Sequence, residues 1–394
     1  MSLVSIEERQ KPDAGTPRFA LWALGFRPFY LLAAAFAAVS VPAWLASYYG
    51  VAGIHVDLAW HVHEMMFGFA VAVVIGFLYT AGRNWTGLWT PRGRALAAIA
   101  LLWVAGRIAM FWGSPLAGAL VDLLFLPVAA WPMYRVLQRS GNHRNMVLVG
   151  LLALLATANL LFHAARLGWL AISPLAPVYA AIVIVVVIET VIGGRIIPNF
   201  TSNAVPGTKT VQDPRIDKAT LALTCAAGLA WALGVAGIAG ALLSAAAALA
   251  QGVRLAGWKP LVTLRNPLLW IMHASYAWIP AGFALLALSQ LGLLPATAAV
   301  HVLAVGAIAG LIVGMITRTA LGHTGRPLKA NRPEQAMYVL IQLGVLLRLV
   351  AALAPAVRDF ALVGAGVCWS AAFLAYLATY TPYLMRARID GREG

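Results

Sequence analysis

Charged side chains are scarce in this 394-residue chain, at 10% against 62% hydrophobic residues. An average soluble domain carries roughly 25% charged residues. Too few polar side chains remain to clothe a water-facing surface, which excludes a soluble multidomain protein of this length. Cysteine is nearly absent too. Cys225 and Cys368 each lie inside an apolar stretch without a CxxC partner, so neither a disulfide framework nor a thiolate metal centre is indicated. Also missing are a P-loop, a GxGxxG turn after a strand, an HExxH and a GxSxG, which leaves the common soluble-enzyme chemistries without a signature. The first apolar run is full length and has no AxA-like cleavage site, so it reads as a retained helix, not a signal peptide.

What the chain has instead is long apolar runs, at 29–49, 59–81, 95–113, 115–138, 146–168, 174–194, 217–234, 236–256, 267–289, 296–318, 334–354 and 359–381. A bilayer core takes about 20 apolar residues per helix, so the expected fold is an all-α integral membrane protein of about twelve spans. The seventh and eighth runs are parted only by Gly234 to Gly240. Merged they would be far too long for one crossing, so two spans are expected. One transmembrane domain follows: an arm over 1–28, a bundle over 29–381 and a tail over 382–394.

The formal charge of +15 is accounted for by topology. With the N-terminus inside, 24 of the 28 Lys and Arg residues fall in alternate, cytoplasmic segments. Only Arg107, Arg166, Arg348 and Arg358 are left for the outer half. This positive-inside pattern places both termini in the cytoplasm and removes the argument for nucleic acid as a partner. The lipid bilayer is the partner it implies.

A shift of about 240 residues brings the start of the chain onto its end. Arg27-Pro28 falls near Arg265-Asn266-Pro267, Trp60-His61-Val62 on Val300-His301-Val302, and Gly82 on Gly322, with Arg107 one residue from the register of Arg348. A fainter echo lies after span six. The pattern suggests three pseudo-repeated four-helix units, each with a Gly/Arg/Thr-rich cytoplasmic turn after its second helix.

Ionisable groups inside a bilayer are expensive, at about 2.5–3.5 kcal/mol on insertion scales, and each needs an explanation. His61, His63, His163 and His301 share one layer beneath the outer surface, with Glu64, Arg107, Asp122, Arg166 and Arg348 at similar or slightly greater depth. A lone histidine near a span end is usually an interfacial anchor or a helix–helix hydrogen bond. Four in one layer, two of them related by the repeat, point to a metal or haem site, because neutral imidazole is a common metal ligand and an axial ligand of haem iron. His301 with His61 or His63 would give bis-histidine ligation between spans two and ten. Residues two apart on a helix face different ways, so only one of His61 and His63 can serve. Met66, at i+3 from His63, suggests copper through imidazole and thioether; His163 is a further metal candidate. Glu64 would orient a ligand imidazole or pair with Arg107. Arg107 and Arg348 would hold haem propionates or snorkel. Glu189, near the inner end of span six, would pair with an arginine or line a polar path. A second polar layer of Arg83, Asn84, Arg195, Asn199 and His323 lies in the cytoplasmic turns, as loop scaffolding or as a binding surface.

The run Trp60-His61-Val62-His63-Glu64-Met65-Met66-Phe67-Gly68-Phe69, continued by Gly76-Phe77-Leu78 and Thr80-Ala81-Gly82-Arg83-Asn84-Trp85-Thr86-Gly87, resembles the NnrS family. So do Gly25-Phe26-Arg27-Pro28-Phe29, Gly194-Arg195-Ile196-Ile197-Pro198-Asn199-Phe200-Thr201 and Gly322-His323-Thr324-Gly325-Arg326. The resemblance runs nearly the whole chain. It implies a bacterial inner-membrane protein of about twelve spans that carries haem, expected as the b type, and copper. It also implies a link to nitric oxide, denitrification and tolerance of nitrosative stress. The span count and the histidines on spans two and ten are similar, by analogy only, to the catalytic subunit of haem–copper oxidases and nitric oxide reductases. Span six lacks a histidine and span seven a His-His pair, which argues against a copper site of that kind beside a second haem. A small-molecule or ion transporter, which internal repeats with matched polar residues also mark, and a haem-free copper-handling protein are the rival readings.

Overall fold

The computed structural model describes residues 19–394. Most of the arm expected over 1–28, including Arg9, Lys11 and Arg18, lies outside the described residues. Twelve long helices follow: α1 Phe26–Tyr48, α2 Leu58–Thr86, α3 Gly93–Trp112, α4 Pro115–Arg139, α5 His143–Arg166, α6 Leu175–Ala204, α7 Pro214–Ala232, α8 Gly237–Gly257, α9 Pro267–Gln290, α10 Ala296–His323, α11 Arg332–Leu353 and α12 Pro355–Met385. No strand occurs among the described residues beyond a single Phe19–Arg386 bridge.

Eleven of these helices are long and apolar enough to cross a membrane; α7 is the exception. Its first turns carry Arg215, Asp217 and Lys218, so its apolar part from Ala219 is about 21 Å long at 1.5 Å per residue, short of the roughly 30 Å hydrocarbon core. Helix starts are written in the sequence. The Asp57 carboxylate accepts from Trp60 N at 2.7 Å to cap α2. Ser114 precedes Pro115 at α4, and Asn331 with Glu334 forms a capping box at α11.

Consecutive helices pack on one another and α12 packs back against α1, closing a ring. Burial separates inner from outer helices: 89% of the apolar window of α2, 72% of α10 and 61% of α6 is buried, against 33% for α3 and α11. The three inner helices recur at every fourth position, as three four-helix units require. The outer helices present apolar side chains outward, such as Leu101, Ile238 and Phe360. Only lipid solvates such a surface, and every span satisfies its backbone internally.

Two of the inner helices are not uniform. Glu64–Ala70 in α2 and Val302–Ala309 in α10 are wound as π-helix, each starting directly after a histidine, His63 and His301. Such widened turns are rare and frequently mark functional sites.

Both described ends of the chain meet at one end of the bundle. Ala20 N donates to Met385 O. The Arg27 guanidinium, fully buried, donates to Leu384 O and Arg386 O, both at 2.8 Å. Helix α12 therefore runs slightly past the expected tail boundary. Beyond it, hydrogen bonds from the Arg388 guanidinium hold the Asp390 carboxyl down at about 2.

Candidate cofactor cavity and buried polar cluster

The four histidines expected in one outer layer divide into two sites on opposite sides of α2. The first site is a cavity of about 490 Å³ between α1, α2, α6, α10, α11 and α12, at the end of the bundle away from the termini. This is within the usual range for small-molecule and cofactor pockets. His61 and His301 both line it, together with Met65, Met66, Arg348 and Arg358. His301 Nδ1 lies 2.8 Å from Thr297 O. A carbonyl can only accept, so Nδ1 carries the proton and Nε2 keeps its lone pair. That is the usual means of orienting a ligating imidazole. The His61 ring stacks on Trp44 at 4.2 Å between centroids, and its Nδ1 is buried without a hydrogen-bond partner. Arg348 has no hydrogen-bond or ion-pair partner among the described residues and faces the cavity. Its guanidinium and that of Arg358 bring two cations to a mostly apolar lining that also holds Asp57, Ser47 and Tyr48.

The second site is a closed polar cluster between α2, α3, α4 and α5. His63 Nδ1 lies 3.0 Å from Glu64 Oε1, and its Nε2 lies 2.9 Å from Asn159 Oδ1 and 3.2 Å from Asp122 Oδ2. Asp122 Oδ2 also accepts from Asn159 Nδ2 at 2.7 Å and lies 3.1 Å from His163 Nε2. Arg107 joins the two acids, donating to Glu64 Oε2 at 2.6 Å and to Asp122 Oδ1. All six side chains are buried. Gly68 makes room for the pair: a Cβ there would stand 2.7 Å from Arg107 Nη1 and 2.9 Å from Glu64 Oε2. Ligand atoms of His63, Asp122 and His163 lie within 4.8 Å of one another, a spacing that suits one metal ion.

Several expectations are corrected by this arrangement. His63 and Met66 do not share a face. The π-helical winding that begins at Glu64 adds a residue per turn, so Met66 reaches the cavity while His63 turns into the cluster. Glu64 pairs with Arg107, as one expectation had it, and both groups join the Asp122 cluster; neither lines the cavity. Arg107 therefore does not face the cavity, whereas Arg348 does. His163 joins His63, not His61. Nor do the residues of the second polar layer form one surface. Arg83 donates to Gly87 O and lies over the Trp89 ring, and Asn84 is exposed. Arg195 donates to Asn145 at 2.8 Å, Asn199 bonds back to Arg195 O, and His323 packs on Phe26. Arg83 and Asn199 tie their own turns, while Arg195 and His323 reach neighbouring ones.

Sequence reasoning passed over Trp44, Thr297, Arg358 and Asn159 as site residues. Asn159 carried a signal, since it is a polar residue one helical turn from His163 inside an apolar run.

The family model described as NnrS protein matches residues 20–388, nearly the entire chain and both sites. The chain belongs to the NnrS family. No curated protein matches it in sequence. Within this NnrS chain, the family motif around Trp60–Phe69 supplies both sites at once: His61, Met65 and Met66 to the cavity, His63 and Glu64 to the cluster, and Gly68 the space between α2 and Arg107.

Proposed function

We infer that this NnrS protein binds haem between α2 and α10 and acts, in the bacterial inner membrane, in the response to nitric oxide. The observation that carries the haem reading is the pair of histidines, one from each inner helix, that face one cavity with ring nitrogens free. His301 is already fixed in the tautomer a ligand needs. His61 and His301 would hold the haem; the cavity-facing position of His61, against that of His63 in the closed cluster, favours His61 as the α2 residue. Arg348 and Arg358 match an acidic ligand edge bidentately, and Trp44 holds the His61 ring in plane. Bound haem would supply one-electron chemistry at this position. The protein's part is to orient two imidazoles, exclude water with an apolar wall and neutralise two carboxylates at the rim. The positive-inside pattern supports a cavity on the outer side of the membrane, and nitric oxide enters through what the family resemblance implies.

A spectrum of protein purified after expression with sufficient haem tests the reading. A Soret band is expected, abolished or shifted by His301→Ala and by His61→Ala but retained in His63→Ala. Absence of the band in the parent protein would sink the haem assignment.

A second, compatible reading concerns the cluster. Three nitrogen and oxygen donors from His63, Asp122 and His163 suit a borderline metal such as copper(II) or zinc more than cuprous copper, because no thioether joins them. Metal analysis should find about one ion per chain, lost in His163→Ala; equal metal in both proteins would remove the cluster from consideration.

A further inference from the structure

A second recess, of about 410 Å³, lies beside the cavity between the start of α6 and the ends of α7 and α9. Leu175 and Ala176 of α6, Trp231 of α7, Val235 of the following turn, and Ser289 and Gln290 of α9 line it. Tyr179 lines both the recess and the cavity. The winding of α6 accounts for this double role. At about 100° per residue, Leu175 and Ala176 face the recess, Val178 and Ile182 face the cavity, and Tyr179 falls between the two stripes. The Tyr179 side chain is therefore a wall shared by the two spaces. Its ring is half-buried and lies flat on Trp231, with 4.6 Å between centroids and 17° between planes.

The two spaces differ in charge. The cavity carries Asp57, Arg348 and Arg358 in its lining, whereas no residue lining the recess is charged. The turn between α7 and α8, which borders the recess, is satisfied within the protein. Val235 N donates to Ala230 O at 2.8 Å, and Val235 O accepts from Gln290 Nε2 at 3.3 Å. Gln290 Oε1 in turn accepts from Ser244 at 2.8 Å. Leu233 and Ile238, on either side of that turn, are exposed and apolar, as residues in contact with lipid are. A molecule entering past them sheds its water, which costs an ion far more than an uncharged solute. Charged ligand edges are met by the arginines of the cavity; the recess suits what arrives without charge.

We propose that the recess is the entry by which small uncharged molecules pass from the lipid-facing surface into the cavity, with Tyr179 as its gate. Swinging the ring off Trp231 about its own side-chain bonds joins the two spaces and needs no movement of the α6 backbone. No bond is made or broken in this step. The passage stands on the two spaces and their shared ring. Its use by a second molecule beside a bound cofactor rests also on the haem reading given above.

A thiol placed in the cavity reports the passage. The full chain carrying Ile182→Cys, with Cys225→Ser and Cys368→Ser, is treated in lipid nanodiscs with methyl methanethiosulfonate, which is small and neutral, and with its negatively charged sulfonatoethyl counterpart. Ala176→Phe and Ser289→Trp each fill the recess from a residue that does not line the cavity. Either should slow the neutral reagent at least fivefold and leave the charged one within twofold. Tyr179→Ala should speed the neutral reagent at least fivefold, so the test survives the loss of any one variant to misfolding. Neutral labelling that is unchanged by filling and by Tyr179→Ala would overturn the entry. Equal slowing of both reagents would overturn its selectivity for uncharged molecules. In protein showing a Soret band the neutral reagent should keep its access and the charged one lose it; loss of both would overturn the use of the recess beside a cofactor. Absence of the Soret band would count against the haem reading alone and would leave the other readouts intact.

Discussion

Replacing Asp122 by Asn is the most demanding test of the buried cluster. The cluster holds two carboxylates, Glu64 and Asp122, and one guanidinium, Arg107. In the metal-free cluster His63 presents both ring nitrogens to carboxylate oxygens, at 3.0 and 3.2 Å, so both carry protons there and the ring is the second cation; a bound metal ion would replace one of these protons. The charges sum to zero. In Asp122→Asn the amide oxygen can still accept from Arg107. The new NH2 then faces Asn159 Nδ2, His63 Nε2 and His163 Nε2, three groups that donate to Asp122 Oδ2 or lie in hydrogen-bond reach of it. One buried positive charge loses its partner and donors meet donors. Breaking a buried pair from one side costs about 3–5 kcal/mol, whereas an exposed pair would lose at most about 1 kcal/mol. The assay is equilibrium unfolding in mixed detergent micelles of Asp122→Asn, Arg107→Met and the double variant. A loss of about 3–5 kcal/mol in each single variant is expected, with a double loss smaller than their sum by about 0.5–3 kcal/mol, the coupling typical of residues in one network. Stability of Asp122→Asn within 1 kcal/mol of the parent would refute the charge count.

Other expectations follow from single contacts. Gly68→Ala should destabilise the bundle by about 1–3 kcal/mol by forcing Arg107 and Glu64 from the added methyl; unchanged unfolding would mean that α2 and α3 part freely. Arg348→Gln with Arg358→Gln should weaken haem retention at least tenfold while leaving the helical circular dichroism intact; equal retention would remove the rim from the binding site. Arg27→Gln leaves the carbonyls of Leu384 and Arg386 short of donors and should speed proteolysis of the segment after Met385 several-fold. The Asp390 carboxyl, held at about 2 against an ordinary 3.8, contributes to docking of that segment above about pH 3.8, and the contribution is lost as pH falls towards 2. Pepsin digestion across that window should report the release. Arg388→Gln should make cleavage insensitive to pH there, and an unaltered profile would speak against the pair.

The helix count was readable because the bilayer sets a common length for its spans; α7, expected as a full span over 217–234, falls short because charge in its first turns shortens its apolar part. The choice between His61 and His63 could not be read. Two residues two apart must diverge, but only packing decides which faces α10 and which faces α4. The π-helical winding after His63 was equally hidden, since nothing in Glu64-Met65-Met66 distinguishes a widened turn from an ordinary one; it defeated the pairing of His63 with Met66. Arg107 was visible as an ionisable group needing a partner, and Glu64 was named as one. Asp122 stood in the same layer without an assigned role, because its neighbours come from α2, α3 and α5 and no local spacing brings them together. Glu189 shows the converse: its oddity was plain in the sequence, but the half-buried side chain forms no ion pair among the described residues, and the nearby Arg254 bonds Thr190 O and Asp217 instead.

Closure of the ring by α12 against α1 has a consequence for how the protein is made. Arg27 is synthesised at the start of the first span, yet the carbonyls that satisfy it belong to Leu384 and Arg386, more than 350 residues later. Until the last helix has entered the membrane, α1 holds a cation whose acceptors do not yet exist, and one flank of α2 lies open. A ribosome that stops early therefore leaves a product marked by an unsatisfied arginine at the membrane edge, a feature that membrane quality control can read.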